Sequence, residues 1–360
     1  MTDQPAGVDR SNLVDWMRQI IVELGHLPSE GLSTRRITPA GLGIEVHFDD
    51  PAFAESYASR FLDVETGQAP AGKVYVLMGR APGFESLPEW QDADFSPADF
   101  HALVRAAGFR TAYPLKSGRW SFFDVNARVG VQWTASTDLL PPWDGSAPLR
   151  QHVHWILGEH GLRFAHAATL GWRDRGIVLF GKGGAGKSGT TLAGLAAGLS
   201  TVGDDYVALQ GASSPVARHL YRVIKQDRKG LARILDLHAR TVDMPGNWCG
   251  KVEFDPDLFF PGATVDSIAL RAAILPRIAQ VDRPVIVPAR RQEVMLALMS
   301  SNLHQFAGEA DDGMSFFARL LGGLPCFRMD LSNDAAANGL LLRDFIEGLP
   351  VQVSARALAS

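Results

Sequence analysis

Gly176-Ile177-Val178-Leu179-Phe180-Gly181-Lys182-Gly183-Gly184-Ala185-Gly186-Lys187-Ser188-Gly189-Thr190-Thr191 is the stretch on which the fold turns. Its apolar run, Ile177 to Phe180, reads as a buried strand. The next eight residues spell G-x-x-x-x-G-K-S, and Leu192, Leu195 and Leu199 follow at helical spacing. Strand, glycine loop and helix in that order are the context that marks a phosphate-binding loop. Glycines in such a loop let successive N–H groups converge on one anion, and the helix start adds its positive end. Lys187 would reach the β- and γ-phosphates, and the Ser188 hydroxyl would ligate Mg²⁺. The expected cofactors are ATP and Mg²⁺. The expected cofactor-binding residues are Gly181, Lys182, Gly183, Gly184, Ala185, Gly186, Lys187, Ser188 and Gly189.

Outside this stretch the chain is ordinary. It has 360 residues, enough for two domains, with 46% hydrophobic and 21% charged residues, as in a globular protein. A formal net charge of -4 gives no sign of a nucleic-acid surface. Cys249 and Cys326 are too few for a disulfide framework, so a reducing compartment is expected. Met1 to Arg10 carries no signal-peptide pattern, and no apolar run approaches the roughly 20 residues that span a bilayer. The expectation is a cytoplasmic protein with no membrane contact.

The chain before the loop reads as a small α+β domain of unknown role, residues 1–147. Leu13, Trp16, Met17, Ile20, Ile21 and Leu24 mark a helix, with Gly25 as its stop. Ile44 to Phe48 alternates as a strand, and Asp50-Pro51 opens a helix. Lys73 to Met78 is a strand, and Ser96-Pro97-Ala98-Asp99 has the form of a capping box. Arg119–Phe123 and Arg128–Trp133 read as a hairpin. The Pro- and Gly-rich stretch Leu139 to Pro148 is the expected boundary. Residues 148–360 then form the second domain. A helix near Leu149–Glu159 leads to a strand, Phe164–Leu170, that pairs with the loop strand as a hairpin. Further strands are expected at Ala232–Leu237, Lys251–Phe254, Ala269–Ile278 and Cys326–Leu331. Helices are expected at Gln292–Ser301, Met314–Leu321 and Asp334–Glu347. This is a mixed α/β domain with more hairpin than a doubly wound nucleotide fold.

Two families share the loop. Lys182 matches the second lysine of the K-G-G-x-G-K-[ST] loop in ParA/MinD-type dimerising ATPases. That class follows its loop helix with an apolar strand ending in aspartate, where this chain has Leu199-Ser200-Thr201-Val202-Gly203. The other resemblance covers more residues. His166 lies fifteen residues before Gly181, and Asp204 and Asp205 lie seventeen and eighteen beyond Lys187. In these spacings residues 150 to 210 resemble the HPr kinase/phosphorylase family. They resemble above all its divergent serine-kinase relatives, which include kinases of lasso-peptide precursors. The family's arginine-glycine-leucine-glycine signature is only echoed, in Arg228-Lys229-Gly230-Leu231-Ala232-Arg233.

This resemblance implies an α/β P-loop domain of the HPr kinase/phosphoenolpyruvate-carboxykinase-like type. It implies ATP-dependent transfer to a hydroxyl, with serine in a peptide or small protein as the expected acceptor. Asp204 matches the family's catalytic base, and Asp205 would join Ser188 around Mg²⁺. His166 would hydrogen-bond an aspartate and tune its pKa, completing the catalytic set with Asp204 and Lys187. Lys251, Arg277, Arg290 and Arg291 are candidate contacts for phosphate or an acidic substrate. A homo-oligomer is compatible with the resemblance. A ParA/MinD-like switch, and a nucleotide-binding module without transfer, remain open alternatives.

Overall fold

The computed structural model describes residues 12–27, 31–61, 69–79, 97–112, 118–211, 213–303, 305–306 and 310–351. The fold is mixed α/β, with a six-stranded, an eight-stranded and a two-stranded sheet. The chain divides into two compact units: Met1–His160 with Phe306–Glu309, and Gly161–Gln305 with Ala310–Ser360.

In the first unit, helix α1 (Leu13–Gly25) buries Leu13, Met17, Ile20 and Leu24. That stripe packs with Trp120, Phe122, Val131 and Trp133 in one core cluster. The strands are β1 (Ser33–Ile37), β2 (Ile44–Phe48), β3 (Gly72–Met78), β4 (Phe109–Ala112), β5 (Arg119–Asp124) and β6 (Val129–Thr134). Their order is β1-β2-β3-β6-β5-β4. Asp50 Oδ1 accepts the N–H groups of Ala52 and Phe53, which caps α2 (Pro51–Ala58). Helix α3 (Pro97–Ala106) follows the expected capping box, whose Ser96 lies outside the described residues. The hairpin read from sequence is β5–β6, closed by Asp124 Oδ1 on the N–H groups of Asn126 and Ala127. Strands β1 and β4 escape the sequence reading because they are short edge strands with only alternate or terminal residues buried. Helix α4 (Arg150–Glu159) also belongs to this unit, although the expected boundary at 147/148 precedes it. Its buried His152 donates from Nε2 to the carbonyls of Phe122 and Val131 at 3.2 and 3.1 Å.

The second unit contains β7 (Leu162–Ala165), β8 (Ala168–Trp172), β9 (Arg175–Leu179), β10 (Val207–Gln210) and β11 (Val216–Arg218). It continues with β12 (Ile224–Asp227), β13 (Lys251–Phe254), β14 (Ser267–Val281), β15 (Val285–Pro288) and β16 (Cys326–Ser332). Its helices are α5 (Lys187–Ala196), α6 (Arg228–Leu231), α7 (Leu235–Thr241), α8 (Arg291–Asn302), α9 (Ala310–Gly322) and α10 (Ala335–Glu347). The main sheet runs β15-β16-β14-β11-β10-β7, and β9 joins it through parallel pairing with β14. The expected β8–β9 hairpin is present.

Strand β9 is apolar without alternation because both of its faces are covered. Ile177 and Leu179 share a core with Leu192, Leu195, Leu342 and Ile346 from α5 and α10. Val178 and Phe180 share the opposite core with Val294 and Leu298 of α8 and Phe317 of α9. The expected strand Phe164–Leu170 is broken at His166. There Asn302 Oδ1 accepts the His166 N–H at 2.7 Å, and Asn302 Nδ2 donates to its carbonyl. The expected strand Ala232–Leu237 is wrong: the segment is turn and helix, from α6 into α7. Leu231, Ile234 and Leu237 recur every third residue and pack into one core, and Asp227 caps α6 through the Gly230 N–H at 2.7 Å. Among the described residues no helix is long and apolar enough to cross a membrane.

Candidate functional site

Strand β9 delivers the glycine loop and α5 carries it away. Gly184 and Gly186 have φ of +78° and +101°, the left-handed region that glycine enters freely. A Cβ on Gly186 would also lie 2.7 Å from Leu331 Cδ1, so a side chain here would have to displace that leucine as well as strain the backbone. Lys187 is 7% exposed and its Nζ donates to the Gly181 carbonyl at 2.6 Å. The ammonium is thus folded back over the loop it follows. Burial pushes its pKa down, against the pull of Asp204 and Asp205 and with the repulsion of Lys251.

The segment between α5 and the aspartate pair is pinned by side chains. Thr169 Oγ1 accepts the Val202 N–H at 3.0 Å, and Thr201 Oγ1 donates to the Gly203 carbonyl at 3.1 Å. His219 Nδ1 donates to the Val202 carbonyl at 2.9 Å. An apolar strand ending in aspartate, the mark of the ParA/MinD class, is not what precedes Asp204: β10 starts only after the pair.

The two aspartates then part. Asp204 is 2% exposed and sits against the first turns of α5, where Thr191 Oγ1 donates to its Oδ1 at 3.3 Å. Its Oδ2 is buried without a hydrogen-bond partner among the described residues. Burial raises its carboxyl pKa, and the hydroxyls of Ser188 and Thr191 and the charge of Lys187 only partly oppose this. Asp205 sits in the left-handed region, at φ +80°, and its side chain has other partners. Its Oδ1 lies 3.1 Å from His166 Nε2 and its Oδ2 2.7 Å from Lys225 Nζ. Burial alone would raise this carboxyl, but the His166 hydrogen bond and the Lys225 charge outweigh it and hold it well below the usual carboxylate range. The same pair raises the Lys225 pKa against the effect of burial.

Several of these groups line a cavity of about 430 Å³. Lys182, Lys187, Ser188, Asp205 and His166 line it, and so does Lys251. Asp204 does not line it; it lies behind the wall. His166 therefore contacts Asp205, and Asp204 has its own partners on α5. Arg277, Arg290 and Arg291 are not among the lining residues. Arg277 is held in a two-point pair with Asp330 at 2.7 and 2.8 Å, and Arg291 donates to the Gly322 carbonyl.

The sequence reading missed Lys225, Thr191 and Asn302. Lys225 lies on a four-residue strand with one apolar side chain facing the core, Ile224, so no periodicity announces it. Asn302 ends α8, far along the chain from His166, whose backbone it holds. Thr191 sits one helical turn after Lys187, a spacing that could have flagged a hydroxyl facing the same side.

No family model and no curated protein sequence matches the chain. Among solved structures, the HPr(Ser) kinase/phosphatase from Coxiella burnetii is similar at 17% identity with a TM-score of 0.29. The likeness covers 51% of this chain and 95% of that one.

Proposed function

We propose that the second unit is a P-loop kinase domain of the HPr-kinase-like type, which transfers the γ-phosphoryl group of ATP to a hydroxyl. The observation that carries this reading is the convergence, on one cavity, of Lys187 and Ser188 from the loop with the Asp205–His166 pair opposite. The loop N–H groups and Lys187 would hold the β- and γ-phosphates. The Lys187 ammonium need only leave the Gly181 carbonyl to do so. The residues present also fit a divalent cation. Ser188 hydrogen-bonds to the Asp204 carboxylate, whose buried Oδ2 has no hydrogen-bond partner among the described residues, and an orphaned carboxylate oxygen is a ready ligand. Among the described residues no group of three or more His, Cys, Asp or Glu could hold a metal unaided. Mg²⁺ takes one or two protein ligands and completes its shell with phosphate and water, so Ser188 and Asp204 would suffice to hold it. When bound, ATP supplies the phosphoryl group and Mg²⁺ offsets its charge.

The geometry favours exchanging the roles expected of the two aspartates. A base must reach the acceptor, and Asp205 faces the cavity whereas Asp204 is buried under α5. Asp205 would accept the acceptor's O–H hydrogen bond and take its proton as the hydroxyl oxygen bonds the γ-phosphorus and the bond from that phosphorus to the β,γ-bridging oxygen breaks, with ADP as the leaving group. His166 and Lys225 fix its two oxygens. Its low basicity is acceptable because phosphoryl transfer depends on aligning the nucleophile more than on deprotonating it early. Asp204 serves on the metal side, orienting Ser188. The acceptor is a serine of a peptide or small protein, phosphorylated in the cytoplasm.

Thermal unfolding with and without Mg-ATP tests the binding half. Nucleotide at 100 times its Kd should stabilise the wild type by about 2.7 kcal/mol. Lys187→Ala should lose that gain, because the mutated loop keeps its N–H groups but no ammonium. Equal stabilisation of both proteins would remove the phosphate-loop reading.

A further inference from the structure

The chain as a whole is slightly acidic, with 35 Lys and Arg against 39 Asp and Glu. The cavity reverses that balance. Five cationic side chains line it (Lys182, Lys187, Lys229, Arg233 and Lys251) against two carboxylates, Asp205 and Asp227. Both carboxylates are already engaged. Asp205 is taken by Lys225 and His166, and Asp227 caps α6 through the Gly230 N–H. Lys229, Arg233 and Lys251 make no ion pair or side-chain hydrogen bond among the described residues. Their neighbour Arg228 behaves differently, tying down the carbonyls of Thr241, Val242 and Met244 at 3.3, 3.1 and 2.7 Å. One basic residue of this segment is structural, and the two that face the cavity are not.

The position of the three cations matters as much as their number. Lys229 and Arg233 come from α6 and the turn after it, and Lys251 opens β13, whose register places it opposite Asp227. This wall belongs to the β12–β13 sheet and its attached helices, separate from the loop on β9. Lys251 is close enough to Lys187 to push its pKa down. A nucleotide's phosphates, already served by Lys187 and the loop N–H groups, leave at least part of this positive wall unused. Like charges in excess of the counter-charge at one site, here five cations against two carboxylates, destabilise it and favour a ligand that brings further negative charge.

We propose that Lys229, Arg233 and Lys251 form an acceptor subsite for an anionic group carried close to the reacting hydroxyl. The acceptor is then a serine flanked by carboxylates, or a small alcohol that carries a phosphate; the chemistry recognised is the same. This rests on the kinase reading for the word acceptor, but the anion preference can be measured without transfer.

The test is fluorescence anisotropy with labelled synthetic peptides in which one serine is flanked by four Glu, four Gln or four Lys. It uses the full chain, with the loop filled by a non-hydrolysable Mg-ATP analogue. The Glu peptide should bind at least tenfold more tightly than the Gln peptide, and the Lys peptide should not bind. Lys229→Glu with Arg233→Glu should abolish the preference for Glu while leaving nucleotide-dependent thermal stabilisation intact. That control also shows that the variant is folded. Glycerol phosphate and inorganic phosphate are run as competitors. Displacement by glycerol phosphate well below the concentration of phosphate that is needed would favour the small-molecule source, with the anion subsite still supported. Equal binding of the Glu and Gln peptides, or a Glu preference that survives the charge reversal, would overturn the proposal. Glu-selective binding without phosphoryl transfer to any acceptor would instead overturn the kinase reading and leave the anion subsite standing.

Discussion

Asp205→Asn removes the charge that His166 and Lys225 share. The Lys225 pair is short, 2.7 Å, with the lysine side chain 14% and the aspartate side chain 25% exposed. Breaking a fully buried pair from one side costs about 3–5 kcal/mol, and an exposed pair is worth about 0–1 kcal/mol. This pair lies between those limits but nearer the buried one. Asparagine also keeps an oxygen for Lys225, so a loss of about 2–3 kcal/mol is expected. For a unit of this size that corresponds to roughly 5–10 °C in Tm. The assay is thermal or urea unfolding of the nucleotide-free protein at pH 7. Lys225→Met and the double variant complete a cycle, with a coupling of about 1–2 kcal/mol expected. The pH dependence follows from the direction of the shift. A carboxyl whose folded pKa is depressed stabilises fully above its unfolded value, about 3.9, and loses that stabilisation as pH falls through the folded value. The gap between wild type and Asp205→Asn should therefore hold from pH 7 to about pH 5 and close only in stronger acid. A cost below about 0.5 kcal/mol, strict additivity with Lys225→Met, or a gap already closing near pH 6 would refute the pairing.

Asp204→Asn should barely change the stability of the nucleotide-free protein, since burial already disfavours its charged form. It should raise the Mg²⁺ needed for nucleotide-dependent stabilisation by about 10–100-fold, and a magnesium titration checks this. Lys182→Ala should leave phosphoryl transfer largely intact, because Lys182 is an exposed residue at the cavity wall; loss of all ATP turnover with binding retained would favour the dimerising-ATPase alternative. In the first unit, burial pushes the Asp144 carboxyl up to about 7. The folded state then binds the proton more tightly than the unfolded chain does. Stability should fall as pH rises from about 4 to about 7, and Asp144→Asn should flatten that fall. Denaturant midpoints across this range decide it.

The loop was legible because its requirements are local. Gly184 and Gly186 need positive φ, Lys187 must follow at once, and a strand and helix must flank them. The same holds for Asp50 at its helix start and for the β5–β6 hairpin. The site beyond the loop was legible only in part. Spacing brought His166 and the two aspartates to one place, but it carries no side-chain direction. The adjacent carboxylates take different partners, Asp204 on α5 and Asp205 at His166 and Lys225, and spacing does not reveal which goes where. Lys225 reaches the site from a strand that reads as polar loop, and Asn302 from the end of a distant helix. Ala232–Leu237 reads as a strand because a short apolar run fits either period, whereas Leu231, Ile234 and Leu237, three apart, pack into one core as a helical path places them.

Transfer of label from γ-labelled ATP tests the central claim most directly. Purified chain, Mg²⁺ and a hydroxyl acceptor, in a cell lysate or as the Glu-flanked serine peptide, are incubated and the label is traced. The account predicts acid-stable label on serine, absent with Lys187→Ala and reduced about 10²–10⁴-fold with Asp205→Asn. Label released only as inorganic phosphate, or transferred equally well by the wild type and both variants, would contradict it.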